Sequence, residues 1–208
     1  MEKPETIFVI KNTNQNKYKI KGSLFIGIAE KISSSMQANS ILNQIRKKYY
    51  DATHHCFAYQ LLNNEEKYSD DGEPNGTAGI RILNAIKHFG ITNVIVIIVR
   101  YFGGTKLGVG PLGKAYSQTA MSLLENTEFL KLKKYNKIKI IYNYEDSRKI
   151  HYLINKFTCK KIVNGFEQKP VINCLVETAA LKNFIEKLNE QTKGNAIIKT
   201  DSKSVYVK

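Results

Sequence analysis

Residues 68–116 read YSDDGEPNGTAGIRILNAIKHFGITNVIVIIVRYFGGTKLGVGPLGKAY. They hold the longest apolar run of the chain, its densest carboxylate cluster and nine of its 13 glycines. The run 94–99, VIVIIV, contains only Val and Ile. An unbroken β-branched run of this length favours a strand covered on both faces over a short core helix. Polar, glycine-rich segments flank it, each leading into a helical pattern. The expectation is that these loops, 69–79 and 100–108, meet in space and form one groove.

Upstream, segments 6–10 and 18–30 read as extended, with a polar turn at 12–16 and an interruption at Gly22-Ser23. Ser33, Ser34 and Ser35 offer caps for a helix carrying Met36, Ile41, Leu42, Ile45 and Tyr49 at helical spacing. Its last turn holds Arg46, Lys47 and Lys48, where cations suit the helix dipole. His55, Phe57 and Tyr59 alternate along a strand reaching Leu61. A helix over 77–89 places Ile80, Leu83 and Ile86 on one face and stops at Gly90. After the aliphatic strand, Pro111 suits the first turn of a helix that buries Leu112, Ala115, Thr119, Leu123 and Leu124.

Residues 131–136 are basic and poor in apolar surface, and are read as a boundary between two domains, 1–130 and 136–208. The second domain predicts strand 137–142, helix 146–157 capped by Asp146 or Ser147, strands 161–166 and 171–177, helix 179–190 and a final extended segment 196–207. That β-α-β-β-α-β order is ferredoxin-like, so the fold class is α+β with two domains.

The chain has 208 residues, 42% of them hydrophobic and 24% charged, which fits a folded protein. No apolar run approaches the ~18 residues of a membrane span. The start, Met1-Glu2-Lys3-Pro4-Glu5, lacks a secretory pattern. Cys56, Cys159 and Cys174 fit neither a disulfide framework nor a zinc site. A cytoplasmic location without membrane partners is expected. The net charge of +14 is unevenly placed: residues 1–130 carry 15 Lys and Arg against 11 Asp and Glu, and residues 131–208 carry 17 against 7. Such an excess points to a polyanionic partner, RNA or the ribosome, although scattered lysines can also serve only to solvate a surface.

Asp70, Asp71 and Glu73 have three readings. They can satisfy the start of the helix at Thr77, hold a hard cation such as Mg²⁺ or Ca²⁺, or perform acid–base chemistry. Gly108-Val109-Gly110-Pro111-Leu112-Gly113 matches G-x-G-x-x-G, but it stands seven residues beyond the strand, and no aliphatic strand delivers Glu128 as the ribose-binding acid. An anion pocket fits better, built from glycine-rich amides at a helix start with Arg100, Lys106 and Lys114 nearby. Arg100, Tyr101 and Phe102 can stack on bases or anchor an interface. His54 and His55 read as packing with a surface hydrogen bond. No nucleophile arrangement is evident, and no cofactor is expected.

The segments Asp51-Ala-Thr-His54, Ser69-Asp-Asp-Gly-Glu-Pro-Asn-Gly-Thr-Ala-Gly79 and Arg100-Tyr-Phe-Gly-Gly-Thr-Lys-Leu-Gly108, in this order, resemble the IMPACT/YigZ family. The resemblance implies a first domain like the second domain of ribosomal protein S-five, and a ferredoxin-like second domain like the last domain of elongation factor G. For eukaryotic members, which carry an RWD domain absent here, it implies regulation of translation by competition for the activator of a starvation-responsive kinase. For bacterial members it implies nucleic-acid binding. The chain departs from the family pattern at Ile80-Arg81 and at Pro111, Gly113 and Lys114, beside the expected pocket.

The expected ligand-binding residues are Ser69, Asp70, Asp71, Gly72, Glu73, Gly76, Thr77, Ala78 and Gly79 on the first loop. On and after the second they are Arg100, Tyr101, Phe102, Gly103, Gly104, Lys106, Gly108 and Lys114. Asp70, Asp71 and Glu73 are also the candidate metal ligands. The leading reading is a non-enzymatic protein acting on the translation machinery, in which Arg100→Ala weakens binding without unfolding the domain. Its rivals are an enzyme acting on a phosphorylated small molecule or nucleotide with a carboxylate-held metal, and a module that binds only a translation-related protein.

Overall fold

A strand made only of Val and Ile needs an apolar cover on each side, and the first sheet supplies both. The computed structural model describes residues 4–208; the expectations for Met1, Glu2 and Lys3 lie outside the described residues. The chain forms two compact units, with Ile7–Lys131 in the first and Leu132–Lys208 in the second. In the first unit lie β1 (Thr6–Ile10), β2 (Asn14–Ile20), β3 (Ser23–Lys31), α1 (Ser35–Lys48), β4 (His54–Gln60), β5 (Glu66–Ser69), α2 (Gly79–His88), β6 (Val94–Tyr101) and α3 (Val109–Glu125). The sheet order is β2-β3-β6-β4-β5, antiparallel throughout.

The aliphatic strand is therefore central. Val94, Val96 and Ile98 join the core beneath α2 and α3, with Ile82, Ile86, Leu112 and Leu123. Ile95, Ile97 and Val99 join the opposite core, with Ala38 and Leu42 of α1. Each such side chain contributes about 1.5–3 kcal/mol when fully buried, so β6 anchors the unit and fixes where its two ends emerge.

Three details differ from the sequence expectation. Segment 18–30 is a hairpin turning at Lys21 and Gly22, both with positive φ (44° and 78°), as a two-residue type I′ loop requires. Its first strand begins inside the polar run 12–16, because Asn14 and Asn16 donate their side-chain amides to the Asn126 and Thr119 carbonyls at 2.9 and 3.0 Å. The short strand β5 was not expected; it is a charged edge strand with little apolar signal. Helix α2 starts at Gly79 rather than Thr77, because the Thr77 hydroxyl and amide both donate back to the Pro74 carbonyl.

The remaining elements are β7 (Phe129–Ile141), α4 (Ser147–Lys156), β8 (Lys160–Phe166), β9 (Pro170–Glu177), α5 (Leu181–Thr192) and β10 (Ile197–Val207). In the second unit β7 pairs with β9 and β10, and β9 with β8, so its strands stand in the order β10-β7-β9-β8. With α4 and α5 this is the ferredoxin-like arrangement. Ile138, Ile140, Ile172, Cys174 and Val176 meet Ile150, Leu153, Phe184 and Leu188 in one core. Residues 131–136, read as a domain boundary, lie within strand β7, and the division between the units falls at Lys131 and Leu132. Exposed Lys131 and Lys133 alternate with partly buried Leu132 and Lys134, and Tyr135 is buried, so the basic composition conceals a strand. Among the described residues no helix is long and apolar enough to cross a membrane.

Candidate functional site

The first loop connects β5 to α2, and its three carboxylates take separate directions. Asp70 Oδ1 accepts from the amides of Ala78 and Gly79, both at 2.8 Å, and Oδ2 accepts from the Gly76 amide at 3.0 Å. It thus satisfies the start of α2, which lacks a side-chain cap at Ala78. Asp71, at φ 44°, accepts from Arg46 Nη2 and from the His55 amide, both at 2.7 Å. Its own amide donates to Ser69 Oγ at 3.1 Å. His54 Nδ1 stands 2.8 Å from the Asp71 carbonyl oxygen, with Gly72 against the ring. Losing one acceptor shared by three amides is costly, so Asp70→Ala should destabilise the unit by about 2–3 kcal/mol and Asp70→Asn by less. Urea titration of both variants checks this; equal stability of Asp70→Ala and the parent would refute the capping role.

Glu73 turns inward to the end of β6. Arg100 Nη1 donates to Glu73 Oε1 at 2.6 Å, and the Tyr116 hydroxyl of α3 donates to the same oxygen at 2.7 Å. Arg100 is 5% exposed and Glu73 8%. The guanidinium carbon lies 5.4 Å from the Phe25 ring centroid and 5.7 Å from that of Phe102. His54 Nε2 approaches Glu73 Oε2 at 3.8 Å. The two loops therefore meet at a buried ion pair. Cys56 Sγ lies 3.3 Å from the Tyr116 hydroxyl. Burial foremost, with Glu73 adding to it, pushes the Cys56 thiol and the Tyr116 phenol well above their ordinary ranges. That direction disfavours a thiolate at Cys56.

Tyr101, on the opposite face of β6 from Arg100, donates its hydroxyl to Asp51 Oδ1 at 2.8 Å, and that bond raises its pKa. Gly103 packs on the turn at Gly22 and donates its amide to Ser23 Oγ at 3.1 Å. Ser69 ends β5 opposite Phe57 of β4, and Gly79 lies so close that an added Cβ would meet the Ser69 backbone at 2.8 Å. Among the described residues no three His, Cys, Asp or Glu side chains gather as a metal site requires.

Two hollows open beside the ion pair and share Val109. One, of about 410 Å³, is lined by Asn75, Gly76, Thr77, Arg81, Gly110, Gly113, Lys114 and Ser117. The other, of about 370 Å³, is lined by Glu73, Pro74, Arg100, Phe102, Lys106, Leu107, Gly108 and Leu112. Both border the start of α3, where Gly108, at φ 83°, offers no side-chain cap. Free amides and the positive end of the helix dipole lie there beside Arg81 and Lys114, an environment suited to an anion. Gly104, at φ 82°, lines neither hollow. Sequence reasoning passed over Arg81 and Tyr116 as site residues. Arg81 stood out only as a departure from the family pattern, and Tyr116 only as the last residue of the stretch 68–116, outside the buried stripe expected for α3.

The profile of the Impact N-terminal domain matches residues 21–124, which include both loops. The chain is 30% identical over 196 residues to IMPACT family member YvyE of Bacillus subtilis, covering 92% of this chain and 89% of that protein. It is 27% identical over 180 residues to IMPACT family member YigZ of Escherichia coli, covering 85% and 88%. Protein IMPACT homolog of Dictyostelium discoideum is 34% identical over 109 residues, 50% of this chain and 30% of that protein. A crystal structure described as that of a hypothetical protein superposes with a TM-score of 0.66 at 24% identity, over 94% of this chain and 97% of the other, which supports the same fold.

Proposed function

Because this chain belongs to the IMPACT family, we propose that it regulates translation by binding RNA or the ribosome through the groove at loops 69–79 and 100–108. The observation that carries this reading is the charge balance of the two hollows. Their lining includes Arg81, Arg100, Lys106 and Lys114 but a single carboxylate, Glu73, which is already paired with Arg100. Beside these cations Phe102 is 46% exposed and offers a ring face on which a base can stack. Phosphate at the α3 end and a base on Phe102 would use both hollows.

The test is fluorescence anisotropy with a labelled unstructured RNA, with ribosome co-sedimentation in parallel, across a salt series. Lys106→Ala/Lys114→Ala should weaken binding by about tenfold and make the slope of log K against log salt shallower by about 1.4. No binding to RNA or ribosomes at about 50 mM salt would reject the proposal, because phosphate contacts are strongest there. Capture of a translation factor that survives nuclease treatment would instead favour a protein partner, with Phe102 as its anchor.

A further inference from the structure

The second unit carries a basic hollow of about 480 Å³ on one sheet face. Along β7 and β9, Ile138, Ile140, Ile172 and Cys174 point to α4 and α5. Lys137, Lys139, Asn173 and Leu175 alternate with them and so stand on the other face, where they line the hollow with Lys161 and Lys199. Leu175, opposite Lys137 in register and buried, lies at its floor. Asp201 is the one carboxylate among the lining residues.

Two irregularities flank this face. Pairing of β10 with β7 shifts between Thr200 and Ser204, and pairing of β8 with β9 shifts between Lys160 and Val163. In the second shift Lys161 adopts φ 48°, a conformation uncommon for a residue with a side chain. Bulges break a regular ladder and re-aim side chains, and Lys161 is the side chain added to this hollow.

The charges are not neutralised from within. Lys139 pairs with Glu167 at 2.6 Å, but none of the ion pairs among the described residues engages Lys137, Lys161 or Lys199. Lys199 stands directly opposite Lys139 in register, and like charges so placed repel. A bound polyanion relieves that repulsion. Resting on the RNA reading above, we infer that this sheet face is a second RNA contact, in which Lys137, Lys161 and Lys199 hold the phosphodiester backbone of a strand crossing β7 and β9. The site is sequence-independent, because lysines contact phosphate and no base-reading side chain dominates the lining.

The full chain and the variant Lys137→Ala/Lys161→Ala/Lys199→Ala should be compared for binding to a labelled oligouridylate across a salt series. A control variant, Arg148→Ala/Lys156→Ala/Lys182→Ala, removes equal charge from the helices of the same unit. The sheet-face variant should bind about tenfold more weakly or worse, with a slope shallower by about 2, while the control stays within about threefold. Circular dichroism of both variants should match the parent. If the parent binds RNA and the sheet-face variant binds equally well, or the control loses as much, this inference is wrong while the proposed function stands. If the parent binds no RNA at low salt, both fall. Full displacement of the RNA by polyglutamate of matched charge would overturn RNA as the occupant in favour of an acidic protein segment.

Discussion

Replacing Arg100 with methionine should lower the stability of the first unit by about 3–5 kcal/mol, because it leaves the Glu73 carboxylate buried without its counter-charge. The pair is nearly inaccessible, with side chains 6% and 3% exposed, so water cannot compensate. Tyr116 would remain the closest hydrogen-bond donor to Glu73. Adding Glu73→Gln removes the orphaned charge and keeps an acceptor for the Tyr116 hydroxyl. The double variant should therefore recover to within about 1–2 kcal/mol of the parent, since a buried pair is worth far less than the cost of breaking it. Native-state hydrogen exchange of the β6 amides is the suitable measurement, because two compact units need not unfold in one transition. If the single variant lies within about 1 kcal/mol of the parent, the ion pair does not hold the loops together. The same result bears on the site. Sequence reasoning expected Arg100→Ala to weaken binding without unfolding the domain; the burial of Arg100 against Glu73 adds a loss of stability to the expected result. Lys106 and Lys114, both exposed, are the positions where binding can be tested apart from folding.

How much was legible follows from how local each signal is. Strand β6 was legible because its composition alone fixes both its conformation and its double burial. The ferredoxin-like order was legible because each helix and strand carries its own periodicity. The strand character of residues 131–136 was not, since alternating lysines resemble a solvated surface segment until a neighbouring strand is known. In the site, the clustering of glycines and acids marked both loops, yet the partner of each carboxylate depends on tertiary placement. Asp70 serves amides eight and nine residues later, whereas Glu73 finds Arg100 across 27 residues. Nothing local separates these two roles, so three adjacent acids read as one cluster when they are three independent contacts.

The glycines divide in the same way, and one of them should be the least replaceable. A Cβ on Gly103 would sit 1.9 Å from the Gly22 carbonyl carbon and 2.2 Å from the Ser23 amide nitrogen. Both are backbone atoms in the turn between β2 and β3, so no rotamer change can clear them. Gly103→Ala should cost about 3 kcal/mol or more through this overlap, and it should displace the end of β6 from that turn. Gly110 presents the contrasting case. Nothing lies within 4 Å of its added Cβ, and it occupies the first turn of α3. Gly110→Ala should raise stability by about 0.5–1 kcal/mol by restricting the unfolded chain. The β6 and α3 amide exchange rates of the two variants should therefore move in opposite directions. If Gly103→Ala is as well tolerated as Gly110→Ala, the close approach of Gly103 to the turn between β2 and β3 is not a constraint of the fold. Gly110 also lines the anion-suited hollow, so its alanine variant adds stability while narrowing the proposed groove. Weaker RNA binding by a more stable protein would then separate a glycine kept open for a ligand from one kept bare for packing.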